Sequence, residues 1–251
     1  MTPIRRFLAA AALLVTAAAP ARAQDAGGGL PEIGTTLHLS PFETYRRVFH
    51  AFTSAGYHVQ VGLIDRGLLI SLPQPSADTA FKGLSMQMGA QLQPVGDSTH
   101  VTVSGRMVDA QGQPTADAAR TMAPVLVEAM KVAAAIGGVG EKGDSVAAPA
   151  SPQRHGFGYD STSPIKVGGG VGGAGHQAQE AYLARLRGPG NRPVTFERLG
   201  SCCTFDRAGD PPKGRIDAWE VAYAGLSSPV VLYLSLYDTE APRAPQGFTL
   251  R

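Results

Sequence analysis

The stretch Gly137–Arg154 reads GGVGEKGDSVAAPASPQR and decides the predicted organisation of this chain. It holds almost no large apolar side chain, so it buries too little surface to offset the entropy lost when a chain becomes ordered. Its Gly, Ser, Ala and Pro residues are typical of flexible linkers. We therefore predict two folding units, at residues 33–136 and 155–251, joined by a linker at residues 137–154.

The first residues have the pattern of a secretory signal peptide. Arg5 and Arg6 precede the apolar stretch Phe7–Ala19, and Ala21–Ala23 forms a small-x-small cleavage site. The apolar stretch is shorter than the roughly 20 residues that a membrane-spanning helix needs. We predict that residues 1–23 are removed and that the protein is periplasmic or secreted, without a membrane span.

The processed chain is close to neutral. The sequence has 22 Lys and Arg residues and 20 Asp and Glu residues, and three arginines but no acid lie in residues 1–23. No run of basic residues remains that would indicate binding to nucleic acid. No cysteine follows the cleavage site, so we expect no lipid anchor. Residues 24–32 are poor in large side chains and are predicted to be a disordered lead-in.

Local signals in residues 33–136 predict the order β-α-β-β-β-β-α. Ser40 precedes Pro41 and lies three residues before Glu43, which is the pattern of an N-cap, a first-turn proline and a capping box. The segment Asp65–Gly67 separates two β-rich runs, as in a hairpin. We expect an antiparallel sheet backed by two helices. The apolar face predicted for the second helix comprises Met122, Leu126, Met130 and Val132.

Residues 155–251 predict a glycine-rich loop, one helix and several strands. The segment 224–229 is short enough to require antiparallel pairing of the strands that flank it. The predicted fold class is therefore α+β, with two small domains that each pack one or two helices on an antiparallel sheet. The predicted elements are strand Pro164–Val167, helix His176–Arg187, and strands Val194–Phe205, Arg215–Tyr223 and Val230–Tyr237.

The glycine-rich loop contains Gly170–Gly175, which matches the dinucleotide fingerprint G-x-G-x-x-G between a strand and a helix. Glycine fills almost every position there, so the match is nearly unavoidable, and no second βαβ unit follows. The histidines of residues 33–136 show no spacing typical of metal ligands. We therefore expect neither a cofactor nor a bound metal.

Cys202 and Cys203 are adjacent and are the only cysteines of the sequence. Across a trans peptide their Cα atoms are about 3.8 Å apart, below the usual disulfide range of about 4.4–6.8 Å, so a bond between them is strained. A rigid turn, a redox switch and two buried thiols all remain open. We predict a vicinal disulfide, because the compartment is oxidising, in a turn at the end of the strand Val194–Phe205 that holds Phe205 against the second domain.

Several short motifs carry a resemblance to a known group of proteins. They are Tyr159, Ser163–Gly168, Ala181–Leu183, Leu186–Pro189, Arg198–Cys203, Asp217–Val221, Leu232–Tyr233, Tyr237–Asp238 and Ala244–Phe248. Together they resemble bacterial exported proteins and lipoproteins, many of which are catalogued as a 2-dehydro-3-deoxyphosphooctonate aldolase. Thr204 and Ser163 depart from that pattern, where proline and asparagine are expected.

The resemblance implies a shared fold and compartment over about the last 95 residues. Aldolases of the catalogued kind are cytosolic (β/α)8 barrels with eight strand–helix repeats. This chain has neither eight repeats nor a cytosolic start, so we expect no aldolase activity.

The candidate functional residues lie on the predicted strands of the second unit or, for Asp238, directly after the last of them. Asp217 and Trp219 share one strand face and Glu220 lies on the other. Trp219 belongs either to a ligand groove or to an aromatic core. An acid–base role for Asp217 or Glu220 requires the two to converge in a pocket. The full candidate cluster is Cys202, Cys203, Asp217, Trp219, Glu220, Tyr233, Tyr237, Asp238 and Lys166.

These observations favour a non-catalytic binding or interaction module of the cell envelope, with a small molecule or an envelope protein as partner. A thiol-redox protein, a hydrolase or lyase, and an enzyme of the aldolase type are the alternatives. They differ in whether Cys202, Asp217, Glu220 and Lys166 meet in one cleft.

Overall fold

The computed structural model describes residues 32–115, 117–138, 154–170, 173–206 and 213–251. The predicted signal peptide, most of the lead-in and most of the linker lie outside the described residues. Within the described residues, no helix has the length and apolar character needed to cross a membrane.

Three α-helices and twelve strands form in the described residues. The first half contains β1 (Glu32–Leu37), α1 (Pro41–Ser54), β2 (Val59–Leu63), β3 (Leu68–Ser71), β4 (Gln74–Pro75), β5 (Ser85–Val95), β6 (Ser98–Val108) and α2 (Ala118–Gly138). The second half contains β7 (Ile165–Lys166), α3 (Gly173–Arg185), β8 (Leu186–Gly188), β9 (Arg192–Asp206), β10 (Lys213–Tyr223), β11 (Val230–Ser235) and β12 (Thr249–Leu250).

The strands of both halves belong to one open mixed sheet of order β1-β6-β5-β3-β2-β9-β10-β11-β7. β4 lies beside β5, and β8 connects β9 to β12. The fold class is α+β, as predicted, but the division into two small domains is not confirmed. Because β1 and β7 are separate edges, this sheet differs from the closed barrel of the catalogued aldolases.

The prediction of antiparallel sheets is wrong at two places. β2 pairs parallel with β9 through Leu63 and Ser201, and β7 pairs parallel with β11. Hairpin signals report only strands that follow each other closely in sequence, and Leu63 and Ser201 are far apart in the chain. No local pattern indicates that pairing.

α1 forms where the capping signals place it. The Ser40 hydroxyl accepts a 3.3 Å hydrogen bond from the Glu43 amide, and Pro41 occupies the first turn. The apolar side of α1 is fully buried at Tyr45, Val48 and Phe52. The predicted N-cap, first-turn proline and helix are therefore confirmed, whereas the Glu43 carboxylate of the predicted capping box pairs with Arg46.

The predicted apolar face of α2 is wrong, apart from Val132. Met122, Leu126 and Met130 are 45%, 38% and 57% exposed. α2 is apolar on more than one side, so spacing alone does not indicate which side packs against the sheet. The side chains that α2 buries are Val125, Ala129, Val132 and Ile136.

Two apolar clusters meet at β9 and β10. Residues of α1 and α2 pack with Leu199 and Ala218, whereas Tyr182 and Leu183 of α3 pack with Trp219. Successive residues of a strand point to opposite faces, so α1 and α3 cover opposite sides of this strand pair. The pair is therefore the part of the sheet that both halves share.

Two glycines allow β2 and β9 to approach each other closely. A Cβ atom on Gly200 would lie 2.6 Å from the Gly62 carbonyl oxygen, and Gly200 has a φ of +147°. A Cβ atom on Gly62 would lie 2.8 Å from the Leu199 carbonyl oxygen. Only glycine fits such a contact without a shift of the backbone.

Candidate functional site

β9 contains two irregularities in its pairing with β10. In chain order, the first bulge is at Leu199 and the second bulge is at Cys203. Cys203 is the extra residue between the pairs Arg215–Thr204 and Ile216–Cys202. Leu199 is the extra residue between the pairs Ala218–Gly200 and Trp219–Arg198. A β-bulge re-aims the side chains beside it and is frequent next to functional sites. The motif Arg198–Cys203 therefore spans both bulges.

The two cysteines lie in the second bulge as free thiols. Cys202 is 3% exposed, and Cys203 is partly exposed with a φ of +47°. The predicted turn at the end of the strand is wrong, because the pair lies inside β9. The predicted vicinal disulfide is absent here. Phe205 packs edge-on against Tyr237, with ring centroids 6.1 Å apart.

The surroundings of the two thiols make them chemically different. The Cys202 thiol donates a hydrogen bond to Cys203, which lowers the pKa of Cys203, and the Ser161 hydroxyl and the charge of Arg215 lower it further. These effects outweigh burial and the charge of Asp65, which both raise the pKa of Cys203, and place it at about 7. The same hydrogen bond, with burial, raises the pKa of Cys202 far above its ordinary value. Cys203 is therefore the more acidic of the two thiols.

Tyr233 and an ion pair complete the surroundings of the thiols. Burial, and then the charges of Cys202 and Cys203, raise the pKa of Tyr233 to about 12. Arg215 Nη2 lies 2.9 Å from Asp65 Oδ1, so the ion pair joins β10 to the turn after β2. Both halves therefore contribute to the thiol site.

Asp217 lies on the face of β10 that α3 covers, with its side chain only 3% exposed. Its Oδ1 accepts hydrogen bonds from Arg198 Nη2 and Ser201 Oγ, each 2.7 Å long. Its Oδ2 lies 3.5 Å from His176 Nε2 and lacks a hydrogen-bond partner among the described residues. Sequence reasoning missed this cluster because the bulge at Leu199 hides the shared face of Arg198 and Ser201.

Glu220 lies on the opposite face, against α1. Arg46 Nε donates a 3.0 Å hydrogen bond to Glu220 Oε2, and His50 Nε2 lies 3.2 Å from Oε1. The hydrogen bond with Glu220 is the largest cause that raises the pKa of His50. Burial raises the pKa of Glu220, but the bonds from His50 and Arg46 outweigh it and lower that pKa. Asp217 and Glu220 thus share no pocket.

Trp219 lies in the core and does not line a groove. It is 3% exposed, and its Nε1 donates a 3.1 Å hydrogen bond to Gln179 Oε1. Gln179 is fully buried and donates from Nε2 to the Leu234 carbonyl at 3.3 Å. The Phe196 ring packs edge-on against the indole ring. Of the two interpretations of Trp219, the structure supports the aromatic core.

Lys166 lies apart from the other candidates, in a cleft of about 310 Å³ between α3, β7 and residues 239–243, called here the α3 cleft. Asp238 directly precedes the chain segment that forms one wall. The lining residues are Phe157, Ile165, Lys166, Val167, Ala178, Ala181, Tyr182, Arg185, Thr239, Glu240, Ala241, Pro242 and Arg243.

The charged groups of the α3 cleft are three cations and one acid. The guanidinium carbon of Arg243 lies 3.7 Å from the centroid of the Phe157 ring. Tyr182 donates a 2.6 Å hydrogen bond to the Arg243 carbonyl. Arg185 Nε donates to the Arg251 carbonyl at 2.9 Å. The wall at residues 239–243 is thus fastened to α3 and to the Phe157 ring.

The structure therefore separates the predicted cluster. Cys202 and Cys203 lie at the bulge, where their charges act on Tyr233, whereas Asp217, Glu220 and Lys166 lie in three different surroundings. Among the described residues, no group of three or more His, Cys, Asp and Glu side chains is placed to hold a metal ion.

Comparisons with known proteins do not identify this chain. No family model matches it, and no curated protein matches it. Among solved structures, the crystal structure of DynU16, a protein of the dynemicin biosynthetic locus, is similar at 12% identity over 87% of this chain and 83% of that chain, with a TM-score of 0.26. A likeness at that TM-score carries no argument about fold or function.

Proposed function

We propose that this chain is an exported binding module of the cell envelope, and that it binds a small anionic molecule with an apolar body in the α3 cleft. The observation that carries this proposal is the combination of mainly apolar walls with three cations and a single acid. Ligand sites of small molecules have this composition, with a few charged groups that fix the orientation of the ligand.

The cations of the α3 cleft have complementary properties. The guanidinium of Arg243 is held by the Phe157 ring, so it loses little freedom when it pairs with an acidic group. Lys166 supplies a compact charge on a flexible side chain. Low-dielectric walls around these charges strengthen their attraction for an anion.

The carboxylates on β10 support a binding role more than a hydrolytic one. Asp217 is buried between Arg198 and Ser201, and Glu220 is held by Arg46 and His50 on the other face. Two carboxylates that share catalysis must face the same substrate. The contacts of Asp217 and Glu220 instead join neighbouring elements of the fold.

Export is supported by the sequence of residues 1–23. A basic start, a short apolar stretch and a small-x-small site together direct secretion in bacterial precursors. The resemblance of residues 159–248 to exported proteins and lipoproteins agrees with this compartment. The proposal therefore places the α3 cleft outside the cytoplasm, where its ligand reaches it from the envelope.

Binding of 8-anilinonaphthalene-1-sulfonate tests the proposal, because this dye joins an apolar body to one acidic group. We expect saturable binding at one site, with energy transfer from Trp219, the only tryptophan of the sequence. Arg243→Gln should weaken binding at least about tenfold, which corresponds to about 1.4 kcal/mol. Lys82→Gln, an exposed cation that does not line the cleft, is the matched control.

The uncharged dye N-phenyl-1-naphthylamine separates charge recognition from apolar adhesion. We expect it to bind more weakly than the sulfonate and to be insensitive to Arg243→Gln. Thermal unfolding of each variant shows whether the cleft is intact. Equal affinity for both dyes in folded protein, or equal loss in Arg243→Gln and Lys82→Gln, would contradict the proposal.

A further inference from the structure

We propose that Cys202 and Cys203 form a thiol–disulfide exchange site, in which Cys203 attacks a disulfide and Cys202 resolves the mixed disulfide. This activity is separate from ligand binding in the α3 cleft, since neither cysteine lines that cleft. The substrate class is a low-molecular-weight or protein disulfide of the envelope. Three features of the second bulge assign the two roles.

The first feature is access. Cys202 is 3% exposed, whereas Cys203 is partly exposed. An incoming disulfide therefore reaches the sulfur of Cys203 before that of Cys202. Attack along the S–S axis requires such an open sulfur, which a buried thiol does not offer.

The second feature is the backbone of the bulge. Cys203 has a φ of +47°, and among the described residues only it and Asn191 have a positive φ without being glycine. Residues that are not glycine rarely adopt this conformation, and they concentrate at functional sites when the surroundings enforce it. Here the pairing of β9 with β10 on both sides of Cys203 enforces it.

The third feature is the set of groups around the Cys203 sulfur. The Cys202 thiol and the Ser161 hydroxyl act on it as hydrogen-bond donors, and the charges of the ion pair Asp65–Arg215 act on it in opposite directions. Hydrogen-bond donors and a cation stabilise a thiolate. A thiol whose pKa lies near the ambient pH is the best attacking group, because it combines thiolate population with nucleophilicity.

The reaction balances with two thiols and one disulfide. The Cys203 thiolate attacks one sulfur of R–S–S–R, the S–S bond breaks, and RS⁻ leaves with the bonding electron pair and takes up a proton. Cys202 then loses its proton and attacks the Cys203 sulfur, which expels the second RS⁻. The products are the Cys202–Cys203 disulfide and two molecules of RSH, so the protein is oxidised and the disulfide is reduced.

The vicinal product has a consequence for the direction of exchange. The Cα atoms of neighbouring residues are about 3.8 Å apart, which is below the range of unstrained disulfides. A strained disulfide is a stronger oxidant than an unstrained one. The oxidised protein should therefore pass its disulfide on to other dithiols, which makes the pair an exchanger and not a structural crosslink.

Glutathione disulfide is the probe that tests the assignment. Full-length reduced protein is incubated with it and analysed by intact mass. In a large excess of glutathione disulfide, which offsets the strain of the vicinal bond, the wild type should lose two hydrogens and keep no glutathione. Cys202→Ser should retain one glutathione on Cys203, and Cys203→Ser should react at least about a hundredfold more slowly, because its remaining thiol is buried.

Ser161→Ala provides a readout that a structural pair would not change. Loss of that hydrogen bond should move the pH midpoint of the reaction upward while both cysteines remain. The proposal is overturned if both single variants trap glutathione at equal rates, or if folded wild type keeps two thiols while unfolded protein reacts. It is also overturned if a vicinal disulfide forms but resists reduced glutathione, since that behaviour belongs to a structural bond.

Discussion

The hydroxyl of Tyr45 on α1 donates a 2.9 Å hydrogen bond to the carbonyl of Leu199, the extra residue of the first bulge in β9. Both residues are fully buried. Leu199 has no paired residue on β10 at the bulge, and the Tyr45 hydroxyl supplies a hydrogen-bond donor for its buried carbonyl. This contact joins the two halves at the strand that carries the thiols.

Tyr45→Phe should therefore destabilise the protein. It keeps the aromatic ring but leaves a buried carbonyl without its donor, which costs about 1–3 kcal/mol. Urea unfolding should show the loss both in far-UV circular dichroism and in Trp219 fluorescence, because Trp219 reports on the second half. If the urea midpoint followed by Trp219 fluorescence were the same in Tyr45→Phe and wild type, the coupling of the two halves through this bond would be contradicted.

Part of the fold is readable from the sequence because its signals are local. The capping residues Ser40 and Pro41 define the start of α1, and the turn at residues 65–67 places β2 next to β3. The alternation of apolar and polar residues likewise places β5 and β6. Each of these features depends on residues within a few positions of one another.

The remaining features depend on contacts between distant residues. The parallel pair Leu63–Ser201 has no sequence signal, and the bulges at Leu199 and Cys203 shift the strand faces by one residue. A bulge-free strand would point Arg198 and Ser201 to opposite faces, whereas both reach Asp217. The candidate site could thus be located by its cysteines, but its geometry could not be predicted.

The pair His50–Glu220 should make stability depend on pH. The hydrogen bond with Glu220 raises the pKa of His50 above its ordinary value of 6.5 in the folded state. The stabilisation is therefore complete below pH 6.5 and is lost as the pH rises through the folded-state pKa. Glu220 remains ionised over this range, because its own pKa is lowered.

Urea unfolding of wild type and His50→Gln between about pH 5.5 and pH 8.5 measures this effect. The difference in unfolding free energy between the two proteins should be largest at the acidic end and should shrink as the pH rises. His58→Gln is a control, because no ion pair of His58 occurs among the described residues. A difference that grows with pH would contradict the assigned role of His50.

Gln179 should be essential for the packing of α3 on the sheet. Gln179→Leu leaves the buried Trp219 Nε1–H without its acceptor, at a cost of about 1–3 kcal/mol, and removes the side-chain donor to the Leu234 carbonyl. Thermal unfolding followed by Trp219 fluorescence measures the loss. Gln113→Leu, at an exposed position, is the matched control, and equal melting temperatures of the two variants would argue against a buried bond.

The predicted signal peptide defines the N-terminus of the mature protein. Signal cleavage after Ala23 should leave Gln24 as the first residue, because the small-x-small site ends there. Intact-mass measurement of protein recovered from the envelope fraction checks the position. Protein that retains Met1–Ala23 after expression in its native host would be inconsistent with the proposed compartment.

The measurement that tests the account of the thiol site most directly is the alkylation of folded, reduced wild-type protein by iodoacetamide as a function of pH. Fragmentation of the tryptic peptide Leu199–Arg207 locates the label on Cys202 or Cys203. We predict that Cys203 is labelled first, with a rate midpoint near pH 7, and that Cys202 is labelled only on unfolding. Labelling of Cys202 first, or a Cys203 midpoint near the ordinary thiol value of 9.0, would contradict the account.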